Sequence, residues 1–131
     1  MAEAVVSRGT AAEAGLNSLA AYLREISRTR LPTREQESAL VERLTRGEKS
    51  ARNELITSHL KIVVMVCLSH RDRGLALDEL IAEGNLGLIR AAQNFDAAHG
   101  RFAPFAGWWI RQSIRTALGK QARFGSRIDE R

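Results

Sequence analysis

A chain of 131 residues that is 44% hydrophobic, with only two prolines, has enough apolar side chain for one modest core and no composition for a long linker. Its lone cysteine, Cys67, excludes an intramolecular disulfide, and the scattered His59, His70 and His99 offer no zinc spacing. The formal charge of +5 is unevenly placed: residues 1–89 carry twelve Lys/Arg against twelve Asp/Glu, whereas residues 90–131 carry eight against three.

In chain order, residues 1–15 are small and weakly patterned and read as a flexible N-terminal arm without a signal-peptide apolar run. Leu16, Leu19, Ala20, Leu23 and Ile26 then recur at helical spacing. A second helix starts at Pro32-Thr33, where Thr33 and Gln36 have the spacing of a capping box, and stops at Gly47. From about Glu48 a single longer helix is expected through Leu55, Ile56, Leu60, Val63, Val64 and Cys67, ending before Gly74. Its apolar run, Ile62 to Leu68, is seven residues, against the roughly 20 needed to span a bilayer, so a cytoplasmic protein with no membrane association is expected.

Asp78 is placed to cap a fourth helix carrying Leu80, Ile81, Leu88 and Ile89. Gly84 and Gly87 each lower its helix propensity by about 1 kcal/mol relative to Ala, and a closely packed partner backbone would explain them. A loop from Phe95 to Arg101 leads to the last helix, with Pro104 in its first turn. No segment alternates like a strand. The expected class is all-α, a compact bundle of about five helices spanning residues 16–123 and followed by a tail, residues 124–131.

The last helix carries the most informative pattern. Pro104 to Ala117 holds both tryptophans and one of the four phenylalanines, interleaved with arginines. Phe105, Trp108, Gln112, Arg115 and Thr116 share one broad face, with Trp109 beside them. Rings stack on unpaired bases, arginines neutralise phosphates and an amide reads a base edge, so the stripe points to nucleic acid. The basic charge of the same third of the chain agrees. No nucleophile–base pair, paired-carboxylate cleft or metal set can be assembled, so no enzyme and no cofactor is expected.

Two segments resemble a known family. Gly74-Leu75-Ala76-Leu77-Asp78-Glu79-Leu80-Ile81-Ala82-Glu83-Gly84-Asn85-Leu86-Gly87-Leu88-Ile89-Arg90-Ala91 and Trp108-Trp109-Ile110-Arg111-Gln112-Ser113-Ile114-Arg115 are similar to region two of bacterial sigma factors of the housekeeping and stationary-phase type. Tyr22-Leu23-Arg24-Glu25-Ile26, with Leu31-Pro32-Thr33 and Glu35, resembles the conserved segment that precedes it. The resemblance covers roughly residues 18–123. It implies that the helix over residues 78–92 docks on a coiled coil of the β′ subunit of core RNA polymerase through Glu79, Glu83, Asn85 and Ile89. It further implies that the last helix holds single-stranded non-template DNA of the minus-ten promoter element. Phe105 then takes the place of a flipped adenine, Trp108 and Trp109 stand at the upstream edge of the bubble, and Gln112 reads the first base pair. Phe95 lines the base pocket, and Arg101, Arg111 and Arg115 are candidate phosphate contacts.

The departures from the family pattern matter too. Between Gly100 and Trp108 the chain is one residue shorter; His99 stands for an arginine, Ala103 for a serine, Pro104 for a hydroxyl residue, Gly107 for a threonine and His59 for an asparagine. Ala82 stands where the family has a polar glutamine. After Arg123 no helix-turn-helix pattern for an upstream element is read, so the chain is expected to be either a fragment of a longer protein or a stand-alone region-two protein. A stand-alone regulator or split-sigma subunit that needs a partner, with an anti-sigma or partner subunit bound, is therefore an alternative to an initiating sigma factor. A helical protein–protein adaptor and a non-specific basic DNA binder are further alternatives, separable by salt dependence and by sequence preference.

Overall fold

The computed structural model describes the backbone of residues 12–129 and the side chains of residues 18–123. Six α-helices and one 3-10 turn, with no strand, make up the described residues. The contacts divide the chain after Arg30. The first unit holds helix α1, Ala12–Ser27, whose C-terminal end is closed by the Ser27 hydroxyl donating to the Arg24 carbonyl at 2.8 Å. This helix starts four residues before the expected Leu16. Of the expected N-terminal arm, residues 1–11 lie outside the described residues.

The second unit opens with α2, Arg34–Thr45. The expected capping box is present: the Gln36 N–H donates to Thr33 Oγ1 at 3.1 Å, and the Thr33 N–H donates to Gln36 Oε1 at 2.9 Å. Gly47, at φ +82°, ends the helix, with its N–H on the Leu44 carbonyl and the Glu48 N–H on the Arg43 carbonyl, a Schellman closure.

The expected long third helix is two helices, α3 (Lys49–Thr57) and α4 (Leu60–Ser69), broken at Ser58-His59. The reason is competition for one carbonyl. In a continuous helix the Leu55 carbonyl accepts the His59 N–H, but here it accepts the His59 ring Nδ1 at 2.8 Å and the Ser58 hydroxyl at 3.1 Å. The displaced His59 N–H turns to the Ile56 carbonyl, tightening the chain. Ser69-His70 ends α4 in the same way, both side chains bonding the Val66 carbonyl. A repeated Ser-His pair is thus the stop signal at both places.

Helix α5, Leu77–Asn94, and helix α6, Phe102–Asp129, form the main packed pair. The α5 N-cap is Ala76, not Asp78, and the Glu79 carboxylate accepts the Ala76 N–H at 2.9 Å. Gly84 and Gly87 have the packing reason the sequence asks for. A Cβ at Gly87 would stand 2.7 Å from the Trp109 carbonyl oxygen and 2.9 Å from Ile110 Cα; one at Gly84 would stand 2.7 Å from Val63 Cγ1. Helix α5 therefore lies closely against α6 on one side and α4 on the other. Leu55, Val63, Cys67, Leu80, Leu88, Ala91, Phe102, Ala106, Ile110 and Ile114 form the dry core between them. Pro104 is the third residue of α6, where its missing N–H leaves no bond unmade. The backbone of residues 124–129, expected as a tail, continues α6, while residues 130–131 lie outside the described residues. No helix among the described residues is long and apolar enough to cross a membrane.

Candidate nucleic-acid interface

The N-terminal end of α6 carries a row of stacked rings. Phe95, just past the end of α5, is buried, with its ring 5.0 Å from Phe102 and 5.3 Å from Phe105. Phe105 contacts His99 at 4.6 Å and Trp109 at 6.2 Å, and Trp109 meets Trp108 edge to face at 5.6 Å. The row runs from the core to the surface. Phe102 and Phe95 are buried, Phe105 and Trp109 are half-buried, and Trp108 is 54% exposed. Of the two tryptophans, one is partly packed and the other presents a ring to solvent.

Beyond the rings a cleft opens between α5 and α6. Glu83 and Arg90 line it from α5; Trp108, Trp109, Gln112, Ser113, Thr116, Ala117 and Lys120 line it from α6. Arg90 Nη1 donates to the Ser113 hydroxyl at 3.4 Å and ties the two walls. Gln112 is exposed in this cleft beside Trp108. An indole ring, a side-chain amide and a lysine ammonium line one groove.

The three arginines expected on phosphates are placed differently from one another. Arg115 is exposed. The Arg111 guanidinium folds back along its own helix, 3.3 Å from where a Cβ of Gly107 would stand. Arg101 is committed to the fold: its Nε donates to Glu37 at 3.1 Å and its Nη2 to the Pro32 carbonyl at 3.2 Å. Glu37 is the residue that sequence reasoning missed. It is buried on α2, and its second oxygen accepts the Phe102 N–H at 2.8 Å, capping α6. No local pattern announces it, because its partners lie 64 and 65 residues away.

His59 sits behind the rings, 1% exposed, its imidazole edge-on to Phe102 at 4.7 Å. A carbonyl only accepts, so Nδ1 carries the proton that bonds Leu55. Burial holds its pKa below the ordinary 6.5, the backbone bond and the Glu37 charge opposing this more weakly. Cys67 is likewise buried, and desolvation pushes its thiol up to about 12, so it is an inert core residue.

The second expected surface lies on the outer side of α5. Glu79, Ala82, Leu86 and Ile89 are exposed along one stripe, with Leu86 at 46% and Ile89 at 38%. Glu79 is half-engaged as the helix cap, and Asn85 is partly buried, its Oδ1 without a partner. Glu83 does not join this stripe alone; it also faces the α5–α6 cleft.

Residues 55–124 match the family described as Sigma-70 region 2, and residues 17–50 match Sigma-70 factor, region 1.2. The chain belongs to the sigma-70 family. It is 43% identical over 103 residues to a protein named RNA polymerase sigma factor SigA from Clostridium acetobutylicum, an overlap of 78% of this chain and 27% of that protein. The chain thus spans about a quarter of the length of that sigma factor. Within the sigma-70 match, Glu37 belongs to the region 1.2 segment and Phe102 to the region 2 segment. The carboxylate that caps the aromatic helix is therefore a hydrogen-bonded link between the two matched segments.

Proposed function

We propose that this chain is the portion of a bacterial, cytoplasmic sigma factor that docks on core RNA polymerase and binds the minus-ten promoter element. It acts as a binding protein, not an enzyme. The observation that carries the reading is the cleft in which exposed Trp108 stands beside Gln112 at the surface end of a ring row. Each stacked base is worth about 1–3 kcal/mol, which offsets the few kcal/mol of extruding a base from duplex. The exposed stripe of Glu79, Ala82, Leu86 and Ile89 on α5 suits a helical partner bearing basic and apolar residues, as the β′ coiled coil would. Trp108→Ala with Trp109→Ala should abolish any preference for single-stranded minus-ten oligonucleotide over a scrambled one, read by fluorescence anisotropy, and leave polymerase binding intact. Equal loss of both in a folded double mutant would sink the separation of the two surfaces.

A second reading, a sigma-like subunit that needs a partner to open DNA, is supported by the ring row itself. His99 lies against Phe105, and His59 fills the space beside Phe102. Run-off transcription from purified core polymerase and this chain alone distinguishes the two: transcript from these components removes the partner requirement.

A further inference from the structure

Between α5 and α6 the chain is anchored at both ends and exposed in the middle. Phe95 is buried at one end, and at the other Arg101 is bonded to Glu37 and to the Pro32 carbonyl. Asp96, Ala97, Ala98, His99 and Gly100 are all exposed. They close into the 3-10 turn Ala97–His99: the Asp96 carboxylate accepts the Ala98 N–H at 2.9 Å, and Gly100, at φ +80°, ends the turn. The turn brings His99 onto the ring row. Its imidazole lies 4.6 Å from the Phe105 ring, tilted by 42°, and its Nδ1 stands 3.2 Å from the Asp96 carboxylate. A cleft of about 480 Å³ separates this segment from α2, with Ala97 and Gly100 on one wall and Arg34, Ser38, Val41 and Thr45 on the other. The turn therefore has room to move.

We propose that His99 is a gate on Phe105: its imidazole covers that ring in the free chain and moves aside, toward the α2 cleft, when a nucleobase stacks in its place. The inference rests on the single-strand reading above and deepens it, from which rings a strand meets to what it must displace. A half-buried ring in an aromatic row is a platform for any base, because every base has a π-face. Here the platform already carries an aromatic occupant, held in place by the Asp96 turn. A base gains its own stacking contact only by giving up the His99–Phe105 pair, and ring pairs of this kind are specific, favourable contacts. Phosphate and groove contacts do not involve the imidazole and are indifferent to the gate. His99 thus lowers the return on base stacking alone, so a strand is held firmly only when its other contacts are also made.

The test compares a single-stranded minus-ten oligonucleotide with the same strand carrying abasic residues in place of its adenines, by anisotropy with the full chain at low salt. The abasic strand needs no seat on Phe105, so the ratio of the two affinities reads stacking apart from phosphate contacts. His99→Ala should tighten the adenine strand about two- to tenfold, the range of one ring pair, and leave the abasic strand within about twofold of the parent. The variant should melt like the parent, since His99 is exposed. Asp96→Asn keeps an acceptor for the Ala98 N–H but removes the charge facing His99, and should raise the same ratio by a smaller factor. In the parent, the His99 ring-proton resonances, displaced by the Phe105 ring current, should move toward free-imidazole positions with the adenine strand and stay in place with the abasic one. A ratio unchanged in His99→Ala overturns the gate, and so does a ratio that falls, which would make His99 a stacking ring in its own right. A parent that binds minus-ten and scrambled strands equally would overturn the promoter reading alone, because the adenine-to-abasic ratio measures stacking whatever the sequence.

Discussion

His59 illustrates how one side chain here serves packing, helix termination and pH response together. Its Nδ1–H holds the Leu55 carbonyl, its ring abuts Phe102, and burial lowers its pKa from 6.5. The folded state therefore binds this proton less readily than the unfolded chain. Above about pH 6.5 both states are neutral at this position and its contribution is fully present; as pH falls below that value the unfolded state gains protons first, and stability is lost through the folded value, by up to about 1.4 kcal/mol per pH unit. His59→Asn keeps a donor for Leu55 and removes the titration. At pH 7.5 the variant should be less stable by about 1–3 kcal/mol, from the lost ring and the space it leaves. Urea melts at pH 7.5 and pH 5 should show that gap narrowing or closing in acid. A gap that stays constant across the range would mean that His59 does not titrate in this window. The histidine's special place was only partly legible in the sequence: its family position was, but its role in breaking the helix was not, because periodicity ignores a side chain that takes its own backbone's partner.

At the scale of elements, two neighbours approach α5 closely, and its two glycines are not equivalent. The Cβ of an alanine at position 87 would meet the Trp109 carbonyl and Ile110 Cα, both backbone, so relief requires α6 to move away. An alanine at position 84 would meet Val63 Cγ1, a side-chain atom on a stiff β-branched residue. Helix propensity favours either alanine by about 1 kcal/mol, which at the upper end of the range is outweighed by the about 1–3 kcal/mol that overpacking costs in a tight interface. Gly87→Ala should therefore destabilise the protein clearly and weaken minus-ten binding, since Trp109 is displaced. Gly84→Ala should be recovered largely by adding Val63→Ala, whereas Gly87→Ala should gain nothing from it. Denaturant midpoints of the four proteins decide the matter, and equal rescue of both glycine variants would show that the α5–α6 spacing is not fixed by Gly87. The need for a close neighbour was legible in the sequence, because glycine inside an amphipathic helix already demands one; which neighbour it is depends on the fold.

Across the whole molecule, helix identity and the aromatic row were legible because they depend on local spacing and on long ordered motifs. The Glu37 link between the sigma-70 region 1.2 and region 2 segments was not, because Glu37 reaches the start of α6 across 65 residues. Nothing within one turn of Glu37 distinguishes it from Glu35, which is exposed. Three features make it consequential. It is buried, it caps a 28-residue helix at the end that carries the rings, and its negative charge lies at the positive end of that helix's dipole. It also fixes Arg101, whose guanidinium is held at the ring row's base. Glu37→Gln retains the shape and one acceptor but lacks the charge, and should cost about 1–3 kcal/mol, the range for a hydrogen bond to a charged group. The effect should also be local to the first turns of α6: amide exchange at Phe105 and Ala106 should accelerate more than at Val63 or Cys67, and single-stranded minus-ten binding should weaken although no DNA-facing side chain has changed. Raising the salt concentration should not restore the parent behaviour, because the carboxylate is shielded from solvent. Uniform acceleration of exchange across α4 and α6 would indicate that Glu37 contributes only to global stability, and that the α2 segment does not set the position of the aromatic helix.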